Sequence, residues 1–283
     1  MPHFHRNDRA AKLPARLSRS WLLVSAAADE ETLAAALESE ADSVILDLED
    51  GCPEDQKDAC REKVVRLLEE PVIAWVRINT AGTDHWKKDV RALTGVKGLR
   101  GVMLATAEHP DQVTRTAMML AAGTPVIALI ESALGIVNAV DIAKAPGTFR
   151  LAFGVGDYRR DTGVSADPLA LAYARSQLVV ASRVGELPGP IDGPSLGKYG
   201  NDLMKECSVT NSHGMTGKIL LDPRQAETIN MALAPSSDEI AWAHEMLQES
   251  GGNSVPKDGS YLPRLARARK VSELAKTYGL WRS

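Results

Sequence analysis

Charged side chains recur at one kind of place in this sequence, the end of a short aliphatic run. Asp47, Glu49 and Asp50 close the run that starts at Ser43, and Arg77 and Asn79 close the one before Thr80. Glu131 and Ser132 follow Val126–Ile130, Asp157 follows Leu151–Phe153, and Asp192 follows Pro190-Ile191. Each has an ordinary explanation when taken alone. An acid ahead of a helix caps it, and an arginine after an apolar run can be a buried ion-pair partner. Taken together they point to a site, because several carboxylates in one pocket repel unless a cation compensates them. A hard divalent ion, Mg2+, accepts one or two carboxylates and keeps several waters. Glu131 and Asp157, from consecutive runs, are the expected metal ligands, with Glu131 also meeting substrate. Arg77 is the expected group for an anionic substrate or a developing negative charge. Glu49 and Asp50 are candidates to orient the metal's waters or relay a proton.

Other chemistries lack their residues. Gly154-x-Gly156 has Arg159 where a dinucleotide fingerprint needs its third glycine, and Gly217-Lys218 has Ser212 where a P-loop needs a glycine. No H-E-x-x-H occurs and the six histidines are scattered, which argues against zinc. His213 beside Gly214 reads as a loop residue, and Ser25 has no histidine at triad spacing.

Something must bring the run ends together. Eight aliphatic runs begin at residues 21, 43, 72, 101, 126, 151, 190 and 218, and helix-like stretches separate them. Runs without polar alternation are what strands covered on both faces look like. Leu33, Ala36, Leu37 and Ala41 share one helical face, and Val113, Ala117, Leu120 and Ala121 another. Residues 168–184 make the strongest expected helix, with Pro168 in its first turn and Gly185 after its end. Eight β–α units in series, with no Pro/Gly/Ser linker between them, predict a single (β/α)8 TIM barrel, with a doubly wound sheet as the alternative. The expected layout is a basic N-terminal arm over 1–18, the barrel over 19–233 and a C-terminal helical extension over 234–283.

Composition fits this layout. The 283 residues are 44% hydrophobic and only 5% aromatic, which favours helices packed on aliphatic strands. A net charge of -4, with basic residues concentrated at the two ends, gives no nucleic-acid footprint. Three cysteines without C-x-x-C spacing support neither a disulfide framework nor a zinc ribbon, so the chain reads as cytoplasmic. Arg6, Arg9, Lys12, Arg16 and Arg19 ahead of Trp21–Val24 imitate a secretory signal. Their apolar run is only four residues, against about 7–15 for a true one, and nothing reaches the roughly 20 needed to cross a bilayer.

The strings that carry these residues resemble a known family. They are Val44–Gly51 (VILDLEDG), Val76-Arg77-Ile78-Asn79, Leu129–Gly135 (LIESALG), Leu151–Tyr158, Leu171–Gln177, Pro190–Gly193 and Gly214–Gln225. In order, from about Arg19 to about Leu247, they resemble the citrate lyase beta-subunit-like proteins, which belong with the HpcH/HpaI aldolases and malyl-CoA lyases. The resemblance implies a Mg2+-dependent barrel, usually a homotrimer. It implies cleavage or formation of a carbon–carbon bond between a 2-oxo or aldehyde acid and an acetyl-type thioester, as in citryl-, malyl- or citramalyl-CoA. By match, Glu131 and Asp157 hold the metal and Arg77 binds substrate.

The chain departs from the family pattern at four places. Val24-Ser25-Ala26-Ala27 replaces Val-Pro-Gly and a following arginine, Leu104-Ala105-Thr106 replaces Leu-Pro-Lys, and Leu221-Asp222-Pro223 replaces Ile-His-Pro. The C-terminal acid expected just before Pro263 is also missing, with Asp258 the nearest substitute. These losses spare the metal site and bear on CoA handling and proton transfer. A thioesterase, an aldolase for free 2-oxo acids, an acyl-carrier-linked lyase and a non-catalytic dicarboxylate–Mg2+ binder therefore stand beside the CoA lyase. The basic run Arg264, Arg267, Arg269 and Lys270 could meet a CoA phosphate or form a solvated helix face.

Overall fold

The structure, a computed structural model, describes residues 10, 12–69, 72–250 and 259–281. Eight parallel strands close into a barrel in chain order. They are β1 (Ser20–Ser25), β2 (Ser43–Asp47), β3 (Ala74–Ile78), β4 (Leu99–Leu104), β5 (Val126–Ile130), β6 (Thr148–Phe153), β7 (Ile191–Asp192) and β8 (Gly217–Leu220). Helices α1 (Glu30–Glu38), α2 (Lys57–Glu69), α3 (Asp84–Leu93), α4 (Pro110–Met119), α5 (Ala133–Val137), α6 (Ala139–Lys144), α7 (Val155–Thr162), α8 (Ala172–Val184), α9 (Gly200–Ser212) and α10 (Ala226–Ala232) lie between and after the strands. The single TIM barrel expected from the run spacing is the fold, and the doubly wound alternative falls away.

Trp21, Ile45, Trp75, Met103, Ile127, Leu129, Ala152, Ile191 and Ile219 form one buried cluster. They fill the lumen, because alternate residues of a strand face the same way. Trp21 and Trp75 meet edge to face at 5.3 Å. Beneath them Arg150 donates to Ser18 O at 2.9 Å and Gly189 O at 2.7 Å while lying over the Trp21 ring, closing the lower end. Counting upward by two from these lumen residues places Ser25, Asp47, Arg77, Glu131 and Gly154 on the inner face at the upper rim. This period of two is what aims the strand-end chemistry.

Local sequence sets the helix starts. Asp29 caps α1 through Thr32 N at 2.8 Å, and Thr83 caps α3 through Trp86 N at 3.1 Å. The α8 helix begins four residues later than the pattern 168–184 predicts. Asp167 accepts a bond from Leu169 N at 2.8 Å, and this turn takes up the stretch containing Pro168. Arg19 belongs to the barrel base, where it is buried and paired with Asp42 at 2.8 Å. Arg6 and Arg9 of the expected arm lie outside the described residues.

Cys52 and Cys60 are joined as a disulfide, where the sequence predicts none. The first turn of α2 brings Cys60 back over the β2–α2 loop, a closeness that an eight-residue spacing does not announce. Cys207 is free and buried.

The chain divides into two compact units between Asn230 and Met231. In the second unit, α11 (Ser237–Ser250) and α12 (Tyr261–Thr277) pack on each other through Ala243, Met246, Tyr261, Leu265, Ala268 and Val271. Arg267 pairs with Glu239 at 3.0 Å and lies over Trp242. Arg264, Arg269 and Lys270 are exposed along α12, and Asp258 lies outside the described residues. Among the described residues no helix is long and apolar enough to cross a membrane.

Candidate functional site

Arg77 sits at the centre of the charged rim. Asp47 and Arg77 are register partners on neighbouring strands, so their inward side chains lie side by side. Asp47 grips the guanidinium with both oxygens, at 2.7 Å to Nε and 2.6 Å to Nη2. This fork geometry fixes the plane of the group and turns Nη1 toward Glu49, 3.1 Å away. Burial works against the Arg77 charge, yet Asp47, Glu49 and Glu131 together hold its pKa above the usual arginine value.

The β2–α2 loop is built to carry Glu49. Asp47 also accepts from Glu49 N at 3.0 Å and Gly51 N at 2.8 Å. A Cβ on Gly51 would fall 2.4 Å from Asp47 Oδ2, so the loop can fold this closely only with glycine there. From α2, Lys57 donates to Leu48 O at 3.0 Å, Glu49 O at 2.9 Å and Asn79 Oδ1 at 2.7 Å. Ser25 ties the end of β1 to the same loop through Gly51 O. Burial pushes the Glu49 carboxyl above its ordinary range, against the pull of Arg77. Asp50 lies on the outer rim, exposed.

Glu131 is buried, about 5% exposed. Its Oε1 accepts from Thr106 N at 2.8 Å and Thr106 Oγ1 at 3.0 Å. Burial pushes its carboxyl up to about 7, Asp157 and Glu49 add like charge, and the Thr106 donors pull the other way. Asp157, in the first turn of α7, is partly exposed and meets Arg160 at 2.7 Å. The mouth thus holds a pair of interacting carboxylates whose negative charge is incompletely balanced. A divalent cation answers that imbalance. Among the described residues no three His, Cys, Asp or Glu side chains converge to hold a metal alone. Two carboxylates with water or substrate oxygens suit Mg2+ and not a closed zinc site.

Two other strand-end groups do something else. Asp192 points behind the barrel, because Ile191 takes the inward position on β7. There it meets Arg175 at 3.1 Å, Thr210 Oγ1 at 2.6 Å and Lys218 at 3.5 Å. Lys218, half of the failed P-loop string, is consumed by this packing. Ser132 caps α5 through Gly135 N at 3.1 Å and donates to Glu108 Oε1 at 2.6 Å. At the position of the missing histidine, Asp222 binds Arg224 and accepts from Tyr199 at 2.6 Å. His213 Nδ1 is spent on Val209 O, 2.9 Å away.

Sequence reasoning gathered Arg77, Glu49, Glu131 and Asp157 toward one mouth, named Asp47 there without a role, and assigned nothing to Lys57 or Thr106. The role of Asp47 follows from strand register, which a single sequence does not display. Lys57 looks like an ordinary helix-surface lysine. Thr106 was visible only as a lysine that is absent.

Comparison with known proteins places the chain in a family. The family model described as HpcH/HpaI aldolase/citrate lyase matches residues 20–188, more than half of the chain. The chain belongs to this family. The HpcH/HpaI aldolase C-terminal domain matches residues 238–279, the α11–α12 unit. A citrate lyase subunit beta-like protein of Mycobacterium tuberculosis is 34% identical over 81% of this chain and 84% of its own length. A (3S)-malyl-CoA thioesterase of Cereibacter sphaeroides is 30% identical, covering 83% of this chain and 86% of its own. Among solved structures, CitE of M. tuberculosis in complex with magnesium, acetoacetate and coenzyme A superposes with a TM-score of 0.74 at 29% identity. That match covers 93% of this chain and 99% of the other.

Proposed function

We propose that this family member is a Mg2+-dependent carbon–carbon lyase. It cleaves or forms a 3-hydroxyacyl thioester such as citryl-, malyl- or citramalyl-CoA, giving a 2-oxo or aldehyde acid and an acetyl thioester. The observation that carries this reading is the Arg77 guanidinium, fixed by Asp47 and facing Glu49 beside the interacting Glu131–Asp157 pair. Glu131 and Asp157 would hold the metal, which when bound polarises the oxygen that becomes the product carbonyl. Arg77 faces the negative charge that develops on the departing thioester as the bond breaks. Glu49, its carboxyl raised by burial, is suited to accept the hydroxyl proton at working pH. The leaving carbon needs one proton in return, so cleavage is proton-neutral overall.

The same reading makes the protein a homotrimer, while the Cys52–Cys60 disulfide removes the cysteine argument for a cytoplasmic location. Tyr173, Val180 and Val184 lie at helical spacing on the exposed face of α8, which packs against α5 with its own exposed Leu134 and Val137. An uncovered apolar face of this kind supports self-association.

The test offers purified protein with Mg2+ the three thioesters while free CoA and oxo acid are both followed. Oxo acid together with acetyl-CoA is expected. Free CoA without an oxo product would make it a thioesterase, the activity named for the C. sphaeroides relative. Glu131→Ala is expected to remove Mg2+ dependence, and unchanged dependence would rule out the metal assignment.

A further inference from the structure

The chain leaves β4 through a threonine in an unfavourable backbone conformation. Thr106 has φ +48°, one of two non-glycine residues with positive φ among those described. A β-branched residue avoids this region because its side chain crowds the backbone. Such strain persists only where surrounding contacts over-determine it. Here the contacts converge on one atom. The left-handed turn aims both the Thr106 amide and its hydroxyl at Glu131 Oε1, at 2.8 and 3.0 Å. The hydroxyl has a single proton, and Thr80 Oγ1 donates to that hydroxyl from 3.2 Å, so the Thr106 proton is directed to Glu131. A one-way chain therefore runs Thr80, Thr106, Glu131 across three successive strand ends.

The other side of the carboxylate is shaped by absence of a side chain. A Cβ on Gly154 would stand 2.3 Å from Glu131 Oε2 and 2.5 Å from its Cβ. Only glycine at the start of α7 leaves room for Glu131 in this rotamer. One oxygen is gripped and the other lies over Gly154, toward the turn that carries Asp157.

We propose that Thr106 is a positioning residue for the metal site: its strained backbone and hydroxyl lock Glu131 with Oε1 occupied and Oε2 presented to the cation. The inference rests on the reading of Glu131 as a metal ligand. Thr106 itself touches neither cation nor substrate. Threonine at this position thus acts through Glu131, where the family pattern has a lysine.

The test compares Thr106→Val, Thr106→Ser and Thr106→Gly with Glu131→Gln. It reads Mg2+ affinity by titration calorimetry, Mn2+ affinity by electron paramagnetic resonance, and melting temperature without metal. Thr106→Val keeps the shape and amide but loses the hydroxyl, and should weaken both ions about tenfold. Thr106→Ser restores the hydroxyl and should stay within about twofold of the original protein. Thr106→Gly relieves the strain, so it should melt no lower than the original while binding metal about tenfold more weakly. A residue with only a structural role would move stability and affinity in the same direction. Unchanged metal affinity in the valine and glycine variants, with affinity lost in Glu131→Gln, would overturn the role of Thr106 and leave the metal site standing. Unchanged affinity in Glu131→Gln would remove the metal reading first, and the positioning role with it.

Discussion

Asp47 and Asp192 both end a barrel strand, both are almost completely buried, and both pair with an arginine. Their fates differ by one position of strand parity. Asp47 lies two residues beyond the lumen residue Ile45 and faces the mouth, where Arg77 keeps Nη1 directed at Glu49. Asp192 lies one residue beyond the lumen residue Ile191 and faces the helices, where both of its oxygens are taken. Its Oδ1 takes Arg175 and Gly193 N, and its Oδ2 takes Thr210 and Lys218. The same residue types make chemistry on one side of the strand and mortar on the other. What divides them is the face of the strand, since each carboxylate takes two donors on either oxygen.

Three experiments can break or sharpen that contrast. The largest effect is expected at the packing cluster. Asp192→Ala would leave Arg175 and Lys218 buried without their carboxylate and should cost about 3–5 kcal/mol in urea unfolding. Burial would raise the Asp192 pKa, but Lys218 and Arg175 override it and hold it below the ordinary 3.8. Its stabilisation is therefore present above that pH and lost as pH falls through the folded value. The folded variant should bind Mg2+ normally, and a metal defect without loss of stability would reverse the assignment of Asp192.

At the mouth, Arg77→Lys keeps the charge next to Asp47 and loses the planar fork. It should lower kcat/KM about 100-fold while the melting temperature changes little. A variant that unfolds yet retains turnover when stabilised would make the mouth pair mortar as well.

The effect that is smallest for a single step, at most about tenfold for one pH unit, is a pH dependence peculiar to the mouth. Burial raises Glu131 from the ordinary 4.5 to about 7, so the folded metal-free protein holds a proton there that the unfolded chain has released. Metal-free stability from this group should fall as pH rises between those values. Mg2+ affinity should rise over the same window, up to about tenfold per pH unit, because the metal needs the carboxylate. Calorimetric titrations at several pH values would show it, and a flat profile would mean that Glu131 is not the ligand.

Much of this was legible in the amino-acid order. Aliphatic runs bounded by polar residues marked all eight strands, even the two-residue β7, because burial on both faces is written locally as composition. Arg77 and Glu131 stood out because a charge at the end of such a run sits at a barrel rim, and Asp157 because it lies in the first turn of the helix after the sixth run. The start of α8 was misjudged because the Asp167 turn competes with helix over the same residues. Asp192 was assigned to the mouth because its run was too short to show parity. The disulfide was missed because Cys52 and Cys60 meet through the return of α2 over its loop.

The sequence by itself determined the barrel, the family and the identity of the charged groups at its rim, since these depend on pattern within a strand and its neighbouring helix. Tertiary structure alone decided which face each charge takes, that Asp47 and Arg77 stand side by side, and that Thr106 bends into a left-handed turn to hold Glu131. Those outcomes depend on contacts between segments 25 or 30 positions apart, as in the bonds from Thr106 to Glu131 and from Arg77 to Asp47. No local preference of threonine, aspartate or arginine encodes them.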